Sequence, residues 1–149
     1  MAFRFSLAAV LLVRENAKKR AEQDLNTVQV EISRITRQVQ GFEIDIANTH
    51  IARENAMRQL IPAGELRTFE HRVKTINEAK KQLLVQLQSL KLERERKMKV
   101  YHAAHRDLET IVEMLNEKRT AHDQEQNRIE QKQLDDIFAS RAVKEASNN

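Results

Sequence analysis

Ile61-Pro62-Ala63-Gly64 holds the only proline and one of the two glycines in a chain of 149 residues. Proline removes a helical donor and clashes with the preceding turn, and glycine supplies the left-handed geometry that ends helices. On both sides of this stretch the apolar residues recur with helical spacing. A sharp reversal at 62–64 makes the chain a hairpin of two long helices. A helix running straight through would make it a rod.

Alternating steps of four and three from Leu7 pass through Leu11, Arg14, Lys18, Ala21, Leu25, Val28, Ile32, Ile35, Val39, Phe42, Ile46, Thr49, Arg53, Ala56 and Leu60. Twelve of these sixteen positions, Leu7 included, are apolar, and the exceptions fall in two pairs. A 3.5-residue repeat kept over seven heptads is a coiled-coil seam. The second half carries the same repeat through Leu66, Phe69, Val73, Ile76, Lys80, Leu83, Leu87, Leu90, Arg94, Lys97, Tyr101, Ala104, Leu108, Ile111 and Leu115. Beyond Leu115 the rhythm thins, and Ile129, Leu134, Ile137 and Phe138 are the last large apolar residues before Val143.

The expectation is therefore an all-α fold: a long antiparallel two-helix coiled coil with its turn near Pro62–Gly64. A single domain over 1–149 has helix 1 at about 5–60, a turn at 61–65, helix 2 at about 66–143 and a frayed tail at 144–149. With the reversal centred on Ala63, facing residues have numbers totalling about 126. Leu60 then meets Leu66, Val39 meets Leu87, Leu25 meets Tyr101 and Leu11 meets Leu115. Residues beyond about 120 find no partner in helix 1, so helix 2 overhangs. Acid-before-base pairs at i, i+4, such as Glu15/Lys19, Glu54/Arg58 and Glu93/Lys97, support helix on the outer faces. Gly41 costs the first helix about 1 kcal/mol relative to alanine. It marks either a close helix approach or a mild weakness.

Composition narrows the function. Aromatics are 4%, charged residues 32%, and tryptophan is absent, which is the signature of long helices. The net charge of +4 is spread evenly over both halves, which suits solvated helix faces better than a nucleic-acid footprint. Absence of cysteine excludes disulfides, thiol chemistry and zinc–thiolate sites. Ala2–Val13 imitates a short signal peptide, but Arg14 follows directly and no small-x-small cleavage site is present. The apolar run is about half the ~20 residues of a membrane span, so no targeting or transmembrane segment is expected.

Candidate chemistry is sparse. His102 and His105 share a helix face with Glu109, but a metal-binding bundle needs a second inward acid/His set, which the sequence lacks. No phosphate loop or nucleophile elbow occurs, and a two-helix rod has little room for a substrate pocket. The chain reads as no enzyme, with no cofactor and no small-molecule substrate. The basic stretch Lys91–Lys99 is interleaved with Glu93 and Glu95 and reads as a solvated face.

Two terminal signatures carry a family resemblance. Phe3-Arg4-Phe5-Ser6-Leu7, followed by Val10, Leu11, Arg14, Ala21 and Leu25, resembles the N-terminus of the flagellar export protein family FliJ. Arg128-Ile129-Glu130-Gln131-Lys132-Gln133-Leu134-Asp135-Asp136-Ile137, then Arg141, resembles that family's C-terminal motif. The likeness covers essentially the whole chain.

The resemblance implies a cytoplasmic component of the flagellar type III export apparatus, peripherally associated with the inner membrane at the flagellar base. It implies a stalk like the central shaft of rotary ATPases, docking into the hexameric export ATPase ring (FliI), which also associates with FliH. It further implies engagement of the export gate protein FlhA and of export chaperones. Carried onto this sequence, the ring-facing candidates are Phe5, Leu7, Leu11, Leu134, Asp135, Asp136 and Phe138. The gate-facing candidates are Phe69, Ile76, Ala79 and Leu83. From the residues alone, the exposed apolar groups of an overhanging helix suggest a protein interface, with self-association as the other reading. The equivalent injectisome stalk, a generic coiled-coil scaffold and a dimeric DNA-binding rod remain alternatives, and a continuous parallel helix through Pro62 would favour the last two.

Overall fold

A computed structural model describes residues 2–149. Two helices make up the fold, α1 over Ala8–Arg58 and α2 over Ala63–Ser147, and the described residues include no strand. The helices pack against each other as an antiparallel hairpin, as the two seams require. The chain reverses between them, so the continuous helix through Pro62 does not form.

The reversal is built one turn earlier than the proline–glycine pair suggested. Gln59 N–H donates to the Ala56 carbonyl at 3.1 Å and Leu60 N–H to the Met57 carbonyl at 3.3 Å, tightening the end of α1. Leu60 then takes the left-handed conformation, with φ of 56°, and neither glycine has a positive φ. Ala63 and Gly64 already belong to α2. The cause is Pro62. Its ring disfavours helix at the preceding residue, so α1 must end before Ile61. Its own fixed φ suits a helix start, where the missing N–H has no partner to lose. Gly64 lies beyond that start, so the left-handed position falls to a leucine. Glu65 in the first turn of α2 and Arg58 in the last turn of α1 both complement their helix dipoles.

The chain packs as two compact units, one of residues 19–103 and one of residues 2–18 with 104–149. In the unit of 19–103, Val28, Ile32, Ile35, Val39 and Leu87 form the buried cluster, with Leu83 and Leu90 packed against it. Ile35 is the one large side chain with no exposure among the described residues. Thr49, a polar seam position, is buried and donates its hydroxyl to the Asp45 carbonyl at 2.7 Å. A threonine so bonded to its own helix keeps its own hydroxyl proton paired inside the seam.

Charged seam residues pair across the hairpin. Arg53 Nη2 lies 3.2 Å from Glu70 Oε1, and Lys80 Nζ lies 3.2 Å from Glu43 Oε1. Both pairs have residue numbers totalling about 123, which corrects the expected 126. The centre of reversal has moved toward Ile61 because Leu60, rather than a residue of 62–64, makes the turn. At that total the position opposite Val39 falls near Leu83 in place of Leu87, and Ile35, Val39, Leu83 and Leu87 share one packed cluster. Leu60 meets nothing: it is 92% exposed, against its expected pairing with Leu66.

In the other unit, Leu7 and Leu11 are half-buried, and Arg14 Nη1 donates to Asp107 Oδ2 at 3.3 Å. The seam residues Ala104, Leu108, Ile111 and Leu115 are half-buried as well. Past Gln126 every residue of α2 is exposed. This is the expected overhang.

Candidate protein-interaction surfaces

Residues 2–7 contribute more than their short apolar run suggests. Residues 2–5 are not helical, yet Phe3 and Phe5 are half-buried. The seam line of α2 turns polar after Leu115, and the aromatic rings settle on that polar stretch. The Phe3 ring lies 5.4 Å from the His122 ring, and the Arg119 guanidinium carbon lies 5.6 Å from the Phe3 ring centre. Lys118 Nζ lies 6.0 Å from the Phe5 ring centre. Aromatic faces attract such cations by their quadrupole, by about 0.5–1 kcal/mol at exposed sites. These α2 contacts were absent from the sequence reading. The pairing of Phe3-x-Phe5 with Lys118-Arg119 was visible as residue types, but nothing in the spacing brought them together.

Of the ring-facing candidates, Phe5, Leu7 and Leu11 therefore belong to this packed end of the seam. Leu134, Asp135, Asp136 and Phe138 do not join them. They begin twelve residues beyond His122, about 18 Å along a helix. Leu134 is 48% and Phe138 62% exposed, with Ile137 between them in the same state. Leu134, Ile137 and Phe138 stand at i, i+3 and i+4, so they form one apolar patch on α2. None of the three continues the seam line, whose next positions after Leu115 are Lys118, His122, Glu125 and Ile129. Asp135 accepts from Gln131 Nε2 at 3.0 Å, and Asp136 is exposed.

The gate-facing candidates sit differently. Phe69, Ile76, Ala79 and Leu83 are all half-buried against α1. Phe69 borders a cleft shared with Asn48, Thr49 and Ala52, while Ala79 and Leu83 border a groove shared with Gly41 and Phe42. Only their flank is reachable, and α1 supplies half of it.

Elsewhere the titratable groups make local pairs. His105 Nε2 lies 3.0 Å from Glu109 Oε1, and the Tyr101 and His102 rings are 5.6 Å apart. Glu31 pairs with Arg34 and Glu125 with Arg128 one helical turn away. The hydrogen bond from each arginine holds its partner carboxyl below the ordinary carboxylate value. Among the described residues, no helix is long and apolar enough to cross a membrane.

An antiparallel two-helix coiled coil with an unaccompanied helical extension is the class that this geometry defines. The family described as Flagellar FliJ protein matches residues 3–147, and the chain belongs to it. That membership gives the chain an export-related role in the flagellum. No curated protein and no solved structure matches the chain.

Proposed function

We propose that the chain is a non-enzymatic stalk of the flagellar type III export apparatus. It docks into the hexameric export ATPase ring (FliI with its regulator FliH) and links that ring to the gate protein FlhA. Binding of export chaperones is a related role. Its place is the cytoplasm, at the inner-membrane face of the flagellar base. Family membership supports the setting. The observation that carries docking is the patch of Leu134, Ile137 and Phe138, exposed on a helix that nothing in the chain accompanies. An apolar patch so placed marks an interaction surface. Asp135 and Asp136 beside it add a charged rim. Phe5, Leu7 and Leu11 hold the end of the seam from which that helix emerges, and Phe69, Ile76, Ala79 and Leu83 serve the gate.

The experiment is to add the purified chain to the cognate ATPase and follow ring assembly and turnover. The intact chain raises both. Replacing Leu134 and Phe138 together by alanine weakens association by about tenfold or more, as loss of buried apolar anchors does. No effect of the intact chain, with no measurable binding, would sink the reading.

A further inference from the structure

Val30, Arg37, Ile44, Ile51 and Arg58 recur every seven residues along α1. Each of the first four lies two residues after one seam position and two before the next, and two residues turn an α-helix by about 200°. The row therefore points away from α2. Its three aliphatic members are each more than half exposed. Beside the row lies Gly41, inside a 51-residue helix, where glycine costs about 1 kcal/mol relative to alanine. Nothing within the chain accounts for it: its φ is not positive, and a Cβ built there meets no atom within 4 Å. Asp24 and Asp45 border the same face. With Arg37 and Arg58 they are exposed, and among the described residues none of the four makes an ion pair.

We propose that two copies of the chain pair antiparallel along this outer face of α1, about a two-fold axis at Gly41. The charges of the face specify a second copy as its occupant. Arg37 and Asp45 stand four residues on either side of Gly41, and Asp24 and Arg58 stand seventeen on either side. One axis at Gly41 therefore brings each of the four level with an opposite charge on the second copy. The same axis sets Val30 level with the second copy's Ile51 to within one residue, so aliphatic groups meet on one flank. In-register parallel copies would instead oppose Arg37 to Arg37 and Asp45 to Asp45. The missing side chain of Gly41 lets the two backbones approach closely at the axis. From Asp24 to Arg58 the contact runs along about 50 Å of helix. It uses none of the residues proposed above for the ring or the gate.

Sedimentation equilibrium of the full chain, from about 1 µM to about 1 mM, reads the pairing. The parent dimerises, and less tightly as salt is added. Arg37→Glu and Asp45→Arg, each alone, set like charges together twice per dimer and raise the Kd about tenfold. An equal mixture of the two variants regains the parent's affinity, because every altered residue then meets an opposite charge across the axis. Damage to the fold cannot produce that recovery, so the mixture decides even where a single variant lowers the melting temperature. A parent chain that stays monomeric to about 1 mM overturns the proposal. So does a mixture no tighter than its components. A dimer that both charge variants leave unchanged, but that Leu134→Ala with Phe138→Ala abolishes, places self-association on the overhang and overturns the proposal as well.

Discussion

Lys80 Nζ reaches Glu43 Oε1 at 3.2 Å across the hairpin, from a seam position where a coiled coil ordinarily places an apolar side chain. Under the register expected from a turn at Ala63, Lys80 would face Ile46 and Arg53 would face Val73. Moving the register by about one layer exchanges both apolar neighbours for carboxylates, Glu43 and Glu70. The cations in the seam thus favour the register that the turn at Leu60 sets. Lys80 and Glu43 remain partly solvated, so their direct contribution is modest, about 0–1 kcal/mol.

Charge reversal tests that preference. Lys80→Glu places two carboxylates together and lowers the melting temperature, and adding Glu43→Lys restores it. A double-mutant cycle by chemical denaturation should give a coupling of about 0.2–1 kcal/mol, the range for exposed pairs. Additive effects of the two changes would show that the pair does not favour that register.

Leu60 pays a steric penalty without any compensating burial, with φ of 56° and 92% exposure. A left-handed non-glycine residue costs roughly 1–2 kcal/mol, part of which glycine returns as lost chain entropy. Leu60→Gly should therefore stabilise the hairpin by about 1 kcal/mol in urea unfolding. Leu60→Val, stiffer at Cβ, should destabilise it.

Ile35 is fully buried and Val30, on the same helix, is 66% exposed. Ile35→Ala should cost about 2–5 kcal/mol through lost burial and a residual cavity. Val30→Ala should stay within about 0.5 kcal/mol. Equal effects at the two positions would mean that the seam lies on another face.

Phe3 and Phe5 anchor the non-helical start onto Arg119, His122 and Lys118. Replacing both by alanine should raise amide exchange in the first turn of α1, since each contact contributes about 0.5–1 kcal/mol. Exchange near Ile35, in the other unit, should be unchanged.

Acid should weaken two local helix pairs. Glu31 and Glu125 have carboxyls held below their ordinary 4.5, first through the hydrogen bonds from Arg34 and Arg128. A depressed folded-state value contributes stability above the unfolded value and loses it as pH falls through the folded one. Carboxyl NMR titrations should place both midpoints below 4.5, and Arg34→Gln should move that of Glu31 upward.

Periodicity made the helices legible because it reports only which face of a helix is apolar. Among the seam positions read for the first helix, Arg14 and Leu60 alone are exposed, and every one read for the second is buried or half-buried. Proline marked the reversal correctly to within one turn. The ring-facing and gate-facing residues came from family resemblance, and the sequence offered no means of separating packed Phe5 from exposed Phe138.

The amino-acid sequence by itself determined two helices, a break between them and a C-terminal stretch without a partner. Each follows from local chemistry: the 3.5-residue repeat, the proline and the end of the repeat. Tertiary structure alone decided the register, the left-handed Leu60, the docking of Phe3 and Phe5, and the open groove beside Gly41. A coiled-coil seam looks the same after sliding by one layer, since apolar still meets apolar. Only the geometry of the turn and the reach of Lys80 and Arg53 to their carboxylates distinguish one layer from the next.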